Sequence, residues 1–312
     1  MTASQVDSPV GGADDARAVL RRHGRTFFFA SHLLGRAHAT RAATLYAFCR
    51  HVDDLADEAA DLVSASEALS AVSQALETGH SSDRRVAAML ALQQETRMPA
   101  LPALALVDGV ASDLHTVRVV DEDELIRYAW RVAGTVGLMM CKVLDVHDPR
   151  AAPFAIDLGI AMQLTNIARD VGEDARMGRR YLPASWIGPV EPAAIAAPDV
   201  ALQNTLQDAT KRLLALADRY YASGEAGLGF LPLRARIGIF SAARMYRAIG
   251  GRIAADGHRS WARRAVIGSA GKVGHATLAA ALMAVQPRLH RRDAVHDARL
   301  QHALVGIDGT HE

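Results

Sequence analysis

The chain has 312 residues, half of them hydrophobic but only 5% aromatic, and its 35 Lys plus Arg against 34 Asp plus Glu leave a formal charge of +1. This length suits one large domain with a sizeable core, and the even charge balance provides no global field for a nucleic acid, which is excluded as a partner. The scarcity of aromatic residues favours helices packed on helices over a β-sandwich.

Residues 1–13 are small and polar, with neither a basic start nor an apolar run, so the expectation is a disordered N-terminus and no signal peptide. Helical periodicity then predicts helices over 14–23, 38–62, 64–78, 83–95, 101–116, 121–145, 152–176, 200–223, 232–257 and 271–286. Pro99 and Pro102, Asp148-Pro149, and four prolines between Gly178 and Pro198 mark the breaks. The three glycines of Gly224–Pro232 read as a helix–helix turn, and Gly227-x-Gly229 lacks the third glycine and preceding strand of a dinucleotide fingerprint. The chain after Pro287, rich in Arg and His, reads as frayed or as helix without a strong face, with His290, His296 and His302 at the surface. The pattern gives a disordered segment 1–13, one all-α domain over 14–286, and a polar tail over 287–312. Cys49 and Cys141 are isolated thiols in apolar patterns, as expected in a reducing cytosol. No run approaches the roughly 18 consecutive apolar residues of a spanning helix. The expectation is a cytoplasmic protein that leaves room for peripheral contact with a membrane.

Two acidic rows stand out against this apolar background. In the segment 39–60, Tyr46, Arg50, Asp53 and Asp57 fall on one helical stripe, with Leu45, Phe48, Val52 and Leu55 filling other faces. A solvated face with an Arg–Asp pair would account for the stripe, but the interspersed lysines and glutamates of such a face are missing until Glu58. In 152–174, Gln163, Asn166, Asp170 and Asp174 form a second stripe bordered by Arg169 and Glu173. Amides so deep in an apolar sequence need partners, because an unsatisfied one costs about 1–3 kcal/mol. A polar network that orients helices is one answer. The other is a hard divalent cation, since carboxylate and amide oxygens on one line are ligands for Mg2+ and an arginine can grip phosphate oxygens. Gly178-Arg179-Arg180-Tyr181-Leu182-Pro183 follows at once and would suit a lid over a diphosphate.

Both rows lie in longer motifs. The stretches Tyr46-Ala47-Phe48-Cys49-Arg50-His51-Val52-Asp53-Asp54 and Gln163-Leu164-Thr165-Asn166-Ile167-Ala168-Arg169-Asp170-Val171-Gly172-Glu173-Asp174 closely resemble the two aspartate-rich signatures of the squalene/phytoene synthase family. Gly178 to Trp186, Tyr128 to Met140, and Gly229-Phe230-Leu231-Pro232-Leu233-Arg234 look like its bacterial phytoene synthase branch, and the similarity runs from about residue 20 to about residue 255.

The resemblance implies a single-domain, all-α isoprenoid synthase bundle with a central active-site cavity. Its expected reaction is prenyl transfer. Two molecules of geranylgeranyl diphosphate couple through prephytoene diphosphate to phytoene, the first step of carotenoid biosynthesis, with Mg2+ (or Mn2+) and without NADPH. Two farnesyl diphosphates, giving squalene or dehydrosqualene, are the alternative. By the same resemblance Asp53, Asp57, Asn166, Asp170 and Asp174 would bind metal, Arg50, Arg169 and Tyr46 would contact diphosphate with Gln163 nearby, and Tyr246 would face the site. His23-Gly24-Arg25-Thr26-Phe27 matches a stretch that usually reads Ser-x-Ser-Phe, so Gly24 stands for the first serine and only Thr26 keeps a hydroxyl. Ala133, Gly134 and Gly137 lie within about a turn of each other. Close helix contact would explain them, but the resemblance makes Ala133 and Gly137 part of a wall that leaves room for a C20 chain. Contact with a membrane and handover of product to a downstream desaturase fit so oily a product.

Overall fold

A computed structural model of the chain describes residues 10–266 and 268–307. Among these residues the chain is helical, in the order α1 (Val10–His23), α2 (Arg25–Ser31), α3 (Arg36–Asp57), α4 (Leu62–Thr78), α5 (Arg84–Thr96), α6 (Leu101–Ser112), α7 (Glu122–Ala129), α8 (Thr135–Val143), α9 (Ala152–Arg176), α10 (Ala184–Ile187), α11 (Pro192–Ala196), α12 (Val200–Ala226), α13 (Leu233–Ala255) and α14 (Ser269–Val285). One isolated bridge, Arg118 with Arg180, is the β-type pairing among the described residues. The all-α expectation holds. Residues 1–9 and 308–312 lie outside the described residues, and α1 begins at Val10, inside the segment expected to be disordered.

Aspartates punctuate the bundle. Asp61, Asp83, Asp121 and Asp199 stand just before helices and accept their free amides, from Ser64 at 2.8 Å, Val86 at 3.0 Å, Glu124 at 2.9 Å and Leu202 at 2.8 Å. Each such cap contributes about 1 kcal/mol. The helix predicted over 121–145 forms as α7 and α8 joined by one π-helical turn, Trp130–Gly134. The short α2 was not legible as a helix, because Phe27-Phe28-Phe29 has no polar face to set a period.

The central element is α9. Its Ile156, Ile160, Leu164, Ile167 and Val171 are buried with Leu206, Leu213, Ala217 and Tyr220 of α12 in the larger core cluster. A second stripe of α9, Ala155, Gly159, Met162, Asn166 and Asp170, is only half-buried. The helix α8 packs against both α9 and α3, and half-buried residues repeat the helical spacing on both sides: Ala133, Val136 and Met140 around α8, Tyr46, Cys49, Arg50 and Asp53 on α3. The stretch Pro149–Arg176 is apolar and long enough to cross a membrane, yet 56% of its most apolar window is buried within the protein, as befits a core helix.

The chain after Pro287 departs from the frayed tail read from its polar composition. Leu300, Ala303 and Leu304 join the core around α9, and the hydroxyl of Tyr220 donates to the Leu300 carbonyl at 2.5 Å. The anchor is Asp157, a fully buried carboxylate on α9. It accepts from Ser223 Oγ at 2.5 Å and Gln301 Nε2 at 2.7 Å, and pairs with His296 Nε2 at 2.8 Å. His296 is therefore no surface residue. The Asp157→Ala variant should lose about 3–5 kcal/mol of stability, the range for removing one partner from a buried polar pair, read as a lower urea midpoint.

Candidate active site

On α3 the first acidic row runs from half-buried Asp53 to exposed Asp57. Burial, with the like charges of Asp57, Asp54 and Asp113, pushes the Asp53 carboxyl up to about 7 against the opposing pull of Arg50. Arg50 makes an i to i+4 ion pair with Asp54 rather than with Asp53. Asp57, at the end of the helix, meets Arg179 at 3.3 Å. This contact ties α3 to the loop that leaves α9.

The second row lies along the half-buried stripe of α9. Asn166 donates to Gln163 Oε1 at 3.2 Å, and its own Oδ1 is buried with no hydrogen-bond partner. Arg169 grips Asp170 through two bonds of 2.8 and 2.5 Å. Arg264, from the segment between α13 and α14, reaches the same Asp170 at 2.7 Å and Glu173 at 3.4 Å. The close approach needs Gly172, where a Cβ would stand 2.4 Å from the Trp261 carbonyl oxygen. Burial and the charge of Asp170 push the Asp174 carboxyl up to about 7, with Arg179 opposing.

The loop Gly178–Pro183 is a fixed wall and not a lid. Its backbone is stitched to the strand-like run Val117–Val120 by Arg180 N to Val117 O and Val119 N to Arg180 O, both at 3.1 Å, and by Ala184 N to Val119 O at 3.0 Å. The adjacent arginines divide their tasks. Arg179 faces the acids, whereas Arg180 is buried and donates to the carbonyls of Val119 and Leu182, both at 2.9 Å.

Asp113, unassigned by sequence reasoning, links the two rows. It follows α6 and accepts from the hydroxyls of Tyr128 at 2.9 Å and Tyr181 at 2.8 Å, which also touch each other at 3.1 Å. Burial raises its pKa despite these donors, and its charge is felt by both Asp53 and Asp174. A lone acid after an apolar helix carries no periodic signal. Its two tyrosine partners lie in stretches already marked by resemblance, and that was the available clue.

Tyr46 and Tyr246 share the ring of Phe27, at centroid distances of 6.0 and 5.3 Å. Burial pushes both hydroxyls above their ordinary pKa, so they stay protonated donors. Thr26 sits half-buried in the first turn of α2, beside Phe27. The glycine in place of a serine has a steric reason. A Cβ at Gly24 would lie 2.6 Å from the Tyr46 ring, so the ring fills the space a side chain would take.

Gly137 requires a correction. A Cβ there would stand 2.1 Å from the Ala155 carbonyl oxygen, and one at Gly159 would stand 2.2 Å from that of Ala133. These glycines let α8 and α9 touch backbone to backbone; the missing side chain makes no room for a substrate tail. Ala133 contributes its carbonyl to the same contact and is itself half-buried. Gly137→Leu should accordingly destabilise the fold by about 1–3 kcal/mol or more through overpacking, seen as a lower urea midpoint. A variant of unchanged stability that had lost substrate binding would restore the wall reading.

Among the described residues no three His, Cys, Asp or Glu side chains are grouped closely enough to hold an ion as they stand, because arginines sit between the carboxylates. The donor set still fits a hard divalent cation. It contains an orphaned amide oxygen on Asn166 and two carboxyls, Asp53 and Asp174, whose charge is poorly compensated. Both carboxyls hold a proton more readily in the folded chain than in the unfolded one, so folding takes up protons. Their contribution to stability is full below about pH 4, near the unfolded value, and is lost as pH rises to about 7. In chelator the urea midpoint should fall between pH 5 and pH 8, and fall less in the Asp53→Asn/Asp174→Asn double variant. Equal declines in the two proteins would contradict this assignment.

Residues 20–270 match the squalene/phytoene synthase family. A phytoene synthase from Cereibacter sphaeroides is 39% identical over 270 residues, covering 81% of this chain and 74% of the relative. One from Rhodobacter capsulatus is 34% identical over 299 residues, covering 91% and 87%. Among solved structures, a dehydrosqualene synthase in complex with ligand superposes with a TM-score of 0.75 at 23% identity, covering 88% of this chain and 97% of that one. A squalene synthase from Alicyclobacillus acidocaldarius gives 0.71 at 22% identity, covering 80% and 97%. These two share the fold. With the acids of α3 and α9 linked through Arg179 and Asp113 and a match over most of its length, the chain belongs to the squalene/phytoene synthase family.

Proposed function

We propose that this chain is a phytoene synthase, a prenyltransferase that joins two molecules of geranylgeranyl diphosphate through prephytoene diphosphate to phytoene and opens carotenoid biosynthesis. The observation that carries the reading is the convergence of the α3 and α9 acids around Asp113 and Arg179, in a chain similar along most of its length to phytoene synthases. Mg2+ or Mn2+ held by Asp53, Asp57, Asn166, Asp170 and Asp174 would supply the positive charge that a departing diphosphate requires.

The other tasks fall to the chain's own groups. Arg50, Arg169, Arg179 and Arg264 are paired with carboxylates and stand ready to take diphosphate oxygens when a substrate arrives. Tyr46 and Tyr246 offer protonated hydroxyls, and Gln163 and Thr26 would add polar contacts. Asp113 holds a negative charge or a proton between Tyr128 and Tyr181, at the edge of the site. Apolar half-buried side chains such as Val136, Met140 and Met162 would offer an oily lining that keeps water from carbocations. The reaction needs no reductant. The oily product suits contact with a membrane and handover to a desaturase, from a protein otherwise in the cytoplasm. In domain terms the reaction belongs to residues 14–286, with the packed tail as support.

Purified protein given geranylgeranyl or farnesyl diphosphate with Mg2+, each with and without NADPH, tests the reading by product analysis. Phytoene from the C20 substrate without NADPH is expected, and a higher kcat/KM with the C15 substrate would overturn it. Asp53→Asn and Asp170→Asn should each lower turnover by roughly 100-fold or more while leaving helical circular dichroism intact. Wild-type rates in both would remove the metal assignment.

A further inference from the structure

Between Asp256 and Asp293 the chain has no acidic residue, yet this stretch carries Arg259, Arg263, Arg264, Lys272, Arg288, Arg291 and Arg292 in a protein of net charge +1. In its middle lies α14. The inner side of this helix buries Ala279 and Met283 against Leu228, Phe240 and Leu289. Its outward positions Leu278, Ala281 and Val285 fall at i, i+3 and i+7 and are exposed, Leu278 by 42% and Val285 by 71%. No charged residue interrupts the helix after His275, and Arg288 and Arg291, both exposed, stand just past its end. Leu233 and Val266, exposed by 58% and 72%, add apolar surface on the neighbouring segments.

We propose that this face of α14 docks on an anionic lipid surface. An apolar helix stripe bordered by cations is the arrangement that lies in the plane of a membrane interface, with side chains among the acyl chains and arginines at the head groups. Charge decides against a second copy of the chain as the occupant. Two such faces would bring Arg288 and Arg291 of both copies together, where the nearby Asp293, 3.8 Å from Arg291, offsets only part of the like charge. The face is also joined to the site. The helix α14 packs on α13, which carries Tyr246, and the same acid-free stretch delivers Arg264 to Asp170. Docking therefore brings the acid end of the site toward the phase in which long isoprenoids dissolve; this last step rests on the function proposed above.

Sedimentation of the full chain with phosphatidylglycerol vesicles, set against phosphatidylcholine vesicles, tests the proposal. Binding to the anionic vesicles, weakened by salt, is expected. Leu278→Glu/Val285→Glu should abolish it while turnover of detergent-dispersed prenyl diphosphate is unchanged. Arg288→Gln/Arg291→Gln, which leaves the helix intact, should weaken it roughly 25-fold, from about fivefold per cation. No binding by the wild-type chain, or equal binding by both variants, overturns the proposal. So does light scattering that shows a dimer broken by Val285→Glu, because the face would then be a subunit interface. The detergent assay reads turnover independently of vesicles, so loss of docking and loss of the synthase reading are separable.

Discussion

Negative charge held beside hydrocarbon is the constraint on which the rest of this molecule depends. Asp53, Asp113 and Asp174 are carboxyls pressed into a helical interior, and each is driven toward protonation by that burial. A protein retains such groups only where something compensates them. Around them the chain places Arg50, Arg169, Arg179 and Arg264, which offset part of this charge and leave Asp53 and Asp174 the least compensated. Under the function proposed above, the same arginines and carboxylates would re-partner, the cations with diphosphate and the acids with metal. The site is thus a set of charges held in pairs, with Asp53 and Asp174 left short of a partner.

The scaffold serves this arrangement by keeping one helix central. One side of α9 is sealed into the core with α12, and a second stripe runs from apolar residues to acids. Gly137 and Gly159 bring α8 onto α9 at backbone distance, and Gly172 does the same for the segment carrying Arg264. The buried Asp157 fixes the far end of α9 to α12 and to the C-terminal segment. Rigidity at that end leaves exchange of partners to the acidic end.

Much of this was legible in the sequence because it is periodic. The spacing of Asp53 and Asp57, or of Asn166, Asp170 and Asp174, follows from helix geometry alone, and aspartate caps mark where four of the helices start. What escaped is non-local. Asp113 acquires meaning only when Tyr128 and Tyr181 fold over it, Arg264 only when Trp261 lies on Gly172. Gly137 illustrates the converse. A missing side chain reads equally as a void or as a contact, and only the carbonyl of Ala155 tells them apart. The polar tail misled in the same way, since His296 and Gln301 look like surface residues until a buried carboxylate receives them.

The π-helical turn at Trp130–Gly134 has a consequence for how this scaffold can vary. Such a turn holds one residue more than an α-helix needs, so it is a stored insertion. Removing a single residue there would keep the helix continuous but rotate everything downstream by about 100° relative to α7. The row Val136 and Met140 would swing away from the interior, and other side chains would take its place. The same rotation would carry Gly137 away from the Ala155 carbonyl and bring a side chain against it, so the extra residue and the close contact of α8 with α9 can change only together.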